Sequence, residues 1–222
     1  MLILGIDDAG RGPLIGPMVL AGVLVTAEQE KKLRSLGVKD SKLVLHSSRI
    51  KIAKEIEKIS RRVYLVISTP EEIDFSISSG INLNTLEAKK TAEIINFLNL
   101  KKEKIKVIVD CPSVNTVAWK NKLLEFISHA ENLIVVCEHK ADFNHPSVSA
   151  ASILAKVRRE EEISRLKEKF GDFGSGYPSD PLTKNFLKMR GNALKNSGIF
   201  RKTWATWKDV FPDKKQKKLF DF

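Results

Sequence analysis

Apolar positions along this chain alternate between short, strand-like runs and longer stretches of helical period, the pattern of an α/β domain. Met1 to Ile6 reads as a first strand, and the apolar run from Leu14 to Val25 as a second. Glu28 to Leu36 reads as a short helix, followed by a polar turn from Gly37 to Leu43. Ser47 or Ser48 is placed to cap a helix reaching about Ser60, with Ile50, Ala53, Ile56 and Ile59 on one face. Val63 to Ile67 is β-prone and predicts a third strand; Asn84 is placed to cap a helix ending near Leu98. Ile105 to Val109 predicts a buried strand ending on Asp110, then a helix from Thr116 to about His129 and a strand from Leu133 to Val136. That strand–helix–strand order implies a parallel, right-handed crossover.

From His145 to about Phe170 the pattern is one long helix. Its first half carries small residues at Ser147, Ser149, Ala150, Ala151 and Ser152, which permit close approach, and its second half is charged and reads as solvated. Gly171 to Pro181 is loop, Leu182 to about Lys195 a helix, and Trp204 and Trp207 mark a further short element. The expected fold is a three-layer α/β arrangement with a mixed central sheet and a small C-terminal helical appendage.

Size and charge narrow the function. A chain of 222 residues buries roughly 70% of its unfolded surface, enough for one main domain. The formal net charge of +11 favours a polyanionic partner, either nucleic acid or an anionic surface, although lysine-rich chains also occur simply as soluble or thermophilic proteins. Cys111 and Cys137 form no CxxC pair and read as core or site-edge thiols of a reducing compartment. With no membrane-length apolar run and no signal peptide before the first strand, a cytoplasmic location is expected.

The richest chemistry lies in Asp7-Asp8-Ala9-Gly10-Arg11-Gly12-Pro13. Adjacent carboxylates repel unless a cation holds them, and hard divalent ions take oxygen ligands. Such a pair also serves as a solvated turn. A dinucleotide fingerprint is excluded by Ile15 in place of a third glycine and by Pro13, which removes an amide where a phosphate-binding helix would begin. Asp110 ends another strand, and Asp142 lies between a strand and the long helix. Any one of these also fits a cap or a turn. As a set, four carboxylates from three strand ends are able to share two Mg²⁺ ions about 3.5–4 Å apart.

These motifs, with Asp40-Ser41-Lys42-Leu43, His139-Lys140-Ala141-Asp142, the run Ser149 to Val157, and Gly174-Ser175-Gly176-Tyr177-Pro178, resemble ribonuclease HII of the archaeal type, in matching order from Gly5 to about Trp207. The resemblance implies a ribonuclease-H-like fold and an endonuclease that uses Mg²⁺ or Mn²⁺. Such an enzyme cuts the RNA strand of RNA–DNA hybrids, and single ribonucleotides embedded in duplex DNA. It cuts on the 5′ side of the ribonucleotide and leaves 3′-hydroxyl and 5′-phosphate ends. The family's metal-binding acids map onto Asp7, Asp8, Asp110 and Asp142. Gly10, Arg11 and Gly12 would surround the ribose 2′-hydroxyl, Tyr177 would stack on the sugar beyond the junction, and Lys42 would contact phosphate. The implied organisation is a catalytic domain over residues 1–175, a substrate-contacting helical segment over 176–212 and a tail over 213–222, acting as a monomer.

One departure stands out, because the family mostly carries glutamate where this chain has Asp8, one methylene shorter. His139 and His145 invite a general-base or zinc reading, but a hydrogen-bonding structural role fits them better. In the tail, Gln216, Leu219 and Phe222 are spaced like the peptide that docks replication enzymes on a sliding clamp, and Leu219 and Phe222 are its apolar anchors. A tail packed on its own domain or laid along DNA is the competing reading. A recombinase or transposase on the same fold would not need a 2′-hydroxyl sensor, and a non-catalytic nucleic-acid binder that had lost its acidic site would not keep carboxylates at all four positions.

Overall fold

A computed structural model describes residues 1–37 and 46–212, so Lys42, Gln216, Leu219 and Phe222 lie outside the described residues. The described strands are β1 (Leu2–Ala9), β2 (Met18–Thr26), β3 (Arg62–Ser68), β4 (Ile105–Asp110) and β5 (Leu133–Glu138). They form one sheet in the order β3-β2-β1-β4-β5. β1 pairs antiparallel with β2 and parallel with β4, β2 pairs antiparallel with β3, and β4 pairs parallel with β5. The sheet is therefore mixed, and the parallel crossover expected from the sequence is present.

Strand periodicity assigns the two faces. Leu2, Leu4 and Ile6 of β1, Met18, Leu20 and Leu24 of β2, and Val107 and Val109 of β4 belong to one buried cluster. That cluster is completed by α3 (Pro70–Ser78), α4 (Leu83–Leu98) and α5 (Thr116–Leu124). Val19, Ala21, Val23 and Val25 face the other way, into a cluster with α1 (Ala27–Ser35), α2 (His46–Ile59) and the first half of α7 (Pro146–Phe170). β2 is buried on both sides, which explains its unbroken apolar run. The small residues of α7 meet β1 at Gly5, where an added Cβ would sit 2.2 Å from the Ser147 carbonyl carbon.

The C-terminal segment adds α8 (Pro181–Arg190) and α9 (Ala205–Val210), while the four-residue α6 (Ala141–Asn144) precedes α7. A third cluster joins Phe173, Phe186, Leu187, Phe200 and Trp207 to Leu14 and Ile15, with Ile163, Leu166 and Phe170 of α7 packed against it. The second half of α7 is thus one-faced: its charged positions are solvated, but its apolar ones hold the C-terminal segment.

Several boundaries differ from the sequence reading. β1 continues through Asp7 and Asp8 to Ala9, because β2 goes on pairing with it after its pairing with β4 has ended at Ile6. Leu14 and Ile15 do not open β2; Ile15 instead bridges Phe200, and the Leu14 amide donates to the Gly176 carbonyl at 2.8 Å. α3 has no counterpart in the sequence reading, although Thr69 caps it and Pro70 starts it. Asn82, not Asn84, caps α4, accepting from the Thr85 amide. α5 stops at Leu124 because Asn96 captures the following chain, bonding the Phe126 carbonyl and the Ser128 amide. α8 ends at Arg190, where Gly191 leaves room for the Phe211 ring.

Gly5→Ala should cost about 3 kcal/mol or more, at the upper end for overpacking, because its Cβ would meet backbone that cannot move aside. The denaturant midpoint should fall at unchanged slope; a midpoint equal to wild type would show that α7 does not press on β1 at this position.

Candidate active site

Because side chains alternate along a strand, Asp7 and Asp8 leave β1 on opposite faces. Asp7 follows the last β1–β4 pair, Ile6 with Val109, and Asp110 follows on the other strand, so the two carboxylates come from neighbouring strand ends. Asp8 points to the α4 side, where Glu87 is buried. Asp7, Asp8, Asp110 and Glu87 line one narrow cavity. Asp110 accepts from the Ala141 amide at 2.9 Å, which fixes the start of α6 and puts Asp142 next in the chain, half-buried. Asp142 is not among the residues that line that cavity. Among the described residues, no three acidic, imidazole or thiol side chains are gathered tightly enough to hold an ion between them.

Electrostatics marks the cluster. Burial, then the Asp8 charge, raises the Asp7 pKa well above its ordinary value. Burial raises Asp8 to about 6, opposed chiefly by Arg11 and reinforced by Asp110. Crowded, partly dehydrated carboxylates with oxygen donors alone are the chemistry of a hard divalent cation site. The oxygen-only chemistry of the donor set suits such an ion, with Asp7, Asp8 and Asp110 acting on one another electrostatically and Asp142 on the adjoining helix.

The turn beside the acids is held from behind. Arg201, fully buried, donates from Nη2 to the Gly10 carbonyl at 2.6 Å, from Nη1 to Arg11 at 2.7 Å, and from Nε to Gly16 at 3.1 Å. Trp204 Nε1 donates to the Gly12 carbonyl at 3.1 Å, and its ring lies 5.0 Å from the Arg201 guanidinium carbon. Burial lowers the Arg201 pKa to about 9, which leaves it charged at neutral pH. Each carbonyl of the Gly10–Gly12 turn therefore has an acceptor position engaged. Gly10, at φ +88°, is required twice over: a Cβ there would lie 2.3 Å from Arg159 Nε. At Gly12 a Cβ would only touch the Tyr177 ring, at 3.6 Å.

Arg11 does not point outward. Its Nε lies 3.0 Å from Glu87 Oε1, Nη2 bonds Asn84 Oδ1, and Nη1 donates to the Pro112 carbonyl at 3.3 Å. In front of the turn lies a cleft of about 520 Å³, lined by Asp8, Gly10, Arg11, Gly12, Arg49, Lys156, Arg159, Glu160 and Tyr177. Tyr177 is 40% exposed at its rim, with the Arg159 guanidinium carbon 5.5 Å from its ring centroid. Arg49 pairs with Glu160 across the cleft.

The structure thus gathers Asp7, Asp8, Asp110, Gly10, Arg11, Gly12 and Tyr177 around one end of the sheet. Sequence reasoning missed Glu87, Arg49, Arg159, Arg201 and Trp204. Lys156 and Arg159 carried a signal, being cations three apart where the small-residue half of α7 ends; Arg201 carried none. His139 lies 3.3 Å from the Cys111 carbonyl and His145 is 2.8 Å from Glu138, both structural contacts as expected. Cys111 is buried, and burial pushes the Cys137 thiol up to about 12.

Because the folded pKa of Asp8 lies above its ordinary value, the folded protein takes up a proton between about pH 6 and pH 4 that the unfolded chain does not. Metal-free wild type should therefore gain stability relative to Asp8→Asn as pH falls through that window, on the order of 2 kcal/mol given partial exposure. Parallel melting curves from pH 7 to pH 4 measure the difference. A constant gap would mean that Asp8 is not destabilised by its surroundings.

Comparison with known proteins accords with this geometry. A model of the family Ribonuclease HII matches residues 4–207. Ribonuclease HII of Archaeoglobus fulgidus is 45% identical over 218 residues, covering 98% of this chain and 98% of the relative. The crystal structure of ribonuclease H2 from Pyrococcus horikoshii aligns with a TM-score of 0.83 at 38% identity, over 95% of this chain and 97% of that one. The RNase HII in a PCNA:RNase HII complex from Archaeoglobus fulgidus aligns with a TM-score of 0.81 at 42% identity, with full coverage of both chains. With its mixed sheet, its carboxylates at neighbouring strand ends and a family match spanning the catalytic elements, this chain belongs to the ribonuclease HII family and is an endoribonuclease H.

Proposed function

We propose that this enzyme cuts both the RNA strand of RNA–DNA hybrids and single ribonucleotides embedded in duplex DNA, on the 5′ side of the ribonucleotide, leaving 3′-hydroxyl and 5′-phosphate ends. The observation that carries the reading is the juxtaposition of the Asp7, Asp8 and Asp110 carboxylates with the Gly10–Gly12 turn and the Tyr177 rim of one cleft. Asp7, Asp8, Asp110 and Asp142 would hold two Mg²⁺ or Mn²⁺ ions. Held there, such ions would supply an activated water and charge stabilisation for the leaving oxygen of the phosphodiester.

The remaining work falls to the chain itself. RNA differs from DNA at the 2′-hydroxyl, so selectivity needs a contact to that group. Arg201 and Trp204 hold the turn from behind, so its remaining backbone amides and carbonyl lone pairs are presented to the sugar on a fixed backbone. Tyr177 supports the sugar beyond the junction, while Arg49, Lys156 and Arg159 supply phosphate contacts around the cleft, joined by Lys42 outside the described residues. In this reading residues 176–212 are the substrate-contacting segment set on a catalytic domain of residues 1–175. Its anchor is the packing of Phe173, Phe186 and Phe200 on Leu14 and Ile15.

The tail from Asp213 to Phe222 is proposed to dock on a sliding clamp through Gln216, Leu219 and Phe222. A structural relative at 42% identity is described in a complex with PCNA, which favours a clamp over self-packing.

With Mg²⁺, a duplex carrying one ribonucleotide should be cut 5′ to it while the matched all-DNA duplex stays intact. Asp7→Asn, Asp110→Asn and Asp142→Asn should each lower the rate more than about 100-fold, beyond the 10–100-fold typical of losing an outer-shell partner of a metal ligand. Equal cutting of both duplexes would overturn the substrate reading, and full activity of Asp110→Asn the shared metal site. Deleting Gln216 to Phe222 should abolish clamp binding in a pull-down and leave cleavage of a short duplex unchanged. Clamp affinity equal to wild type would refute the docking role.

A further inference from the structure

Glu87 is a buried acid in a place that the proposed chemistry does not demand: burial, then the Asp8 charge, raise its pKa to about 8, with Arg11 opposing. Its side chain is 2% exposed, its counter-charge is Arg11 at 3.0 Å, and neither carboxylate oxygen has a well-aligned hydrogen bond among the described residues. Buried ion pairs seldom add net stability over apolar side chains of similar size, so this one needs another explanation. Asn84, one turn earlier on α4, takes Nη2 of the same guanidinium, and Nη1 reaches the Pro112 carbonyl beyond Asp110. Arg11 is thus held against α4 by three partners.

The other acid that this cation acts on is Asp8. Arg11 follows Asp8 by three residues, is the cation acting most strongly on it, and lines the same cleft. An arginine fork on a carboxylate is a strong, geometrically matched pair, and it would occupy the oxygens that a metal ion needs. Glu87, itself lining the cavity with Asp7, Asp8 and Asp110, offers the guanidinium a different carboxylate.

We propose that Glu87 is a positioning residue that holds Arg11 away from Asp8 and so keeps the Asp8 carboxylate available to a divalent cation. The inference rests on the metal reading of the site given above. It implies that the Arg11–Glu87 pair and the metal compete indirectly: loosen the pair, and Arg11 becomes a resident counter-ion for the acids. It also gives Arg11 two functions, a fixed turn and a withheld charge.

The test is calorimetric titration of the full-length protein with Mn²⁺, which reads metal binding without turnover. Glu87→Gln keeps the shape of the side chain but not its charge. It should weaken Mn²⁺ binding by about tenfold or more, the scale on which outer-shell partners act, at a melting temperature close to wild type. Removing the freed cation as well, in Glu87→Gln with Arg11→Met, should recover most of the lost affinity. That recovery separates a withheld arginine from the mere loss of one negative charge near the site. If Glu87→Gln does not fold, Glu87→Asp takes its place and should give a smaller loss in the same direction. Wild-type Mn²⁺ affinity in the Glu87 variant, or a double variant as weak as the single one, would overturn the proposal while leaving the metal site intact. Absence of Mn²⁺ binding by the wild-type protein would instead overturn the metal reading itself, and this inference with it.

Discussion

Arg201 reaches from the C-terminal segment into the turn after β1, and its buried guanidinium donates to the carbonyls of Gly10, Arg11 and Gly16. A charge without water is costly unless its hydrogen bonds are met, and here backbone oxygens meet them. The same bonds fix the backbone of the turn, so the guanidinium and the turn stabilise one another. The catalytic end of the sheet is consequently built from both ends of the chain. Trp204 extends the arrangement to Gly12, and the Ile15–Phe200 bridge closes it.

The second constraint is strand geometry. A period of two sends neighbouring aspartates to opposite faces, so Asp7 meets the α7 side and Asp8 the α4 side. That separation lets one dipeptide serve two surroundings. Asp7 lies beside Asp110 from the next parallel strand, while Asp8 joins Arg11 and Glu87. α7 approaches β1 closely at Gly5, and burial is the main reason that Asp7 resists ionisation.

Charge is distributed with matching economy. The overall excess of cations becomes, at the cleft, Arg49, Lys156 and Arg159 beside the acids Asp8 and Glu160. Arg11 lines the cleft as well, with its guanidinium held toward α4 by Glu87 and Asn84. In the reading proposed above, a nucleic acid entering the cleft would meet these cations beside the Asp8 carboxylate.

Much of this was legible in the residues themselves. Apolar runs from Met1, Val63, Ile105 and Leu133 announced strands, the small residues of α7 announced a close approach, and Asp7, Asp8 and Asp110 stood at strand ends because local patterning records which residues must be buried and where a strand stops. Helix ends were less legible. α5 and α8 stop where Asn96 and Gly191 meet partners distant in the chain, and Asn84 serves Arg11 instead of a helix cap. Tertiary structure alone decided what Arg201, Glu87 and Arg159 do, since a single charged residue has no periodicity and its meaning lies in what lies opposite. It also decided that Leu14 and Ile15 strap the C-terminal segment and do not extend β2. Local sequence fixes conformational preference over a few residues, whereas burial of a charge and pairing of distant backbones exist only once the chain has closed on itself.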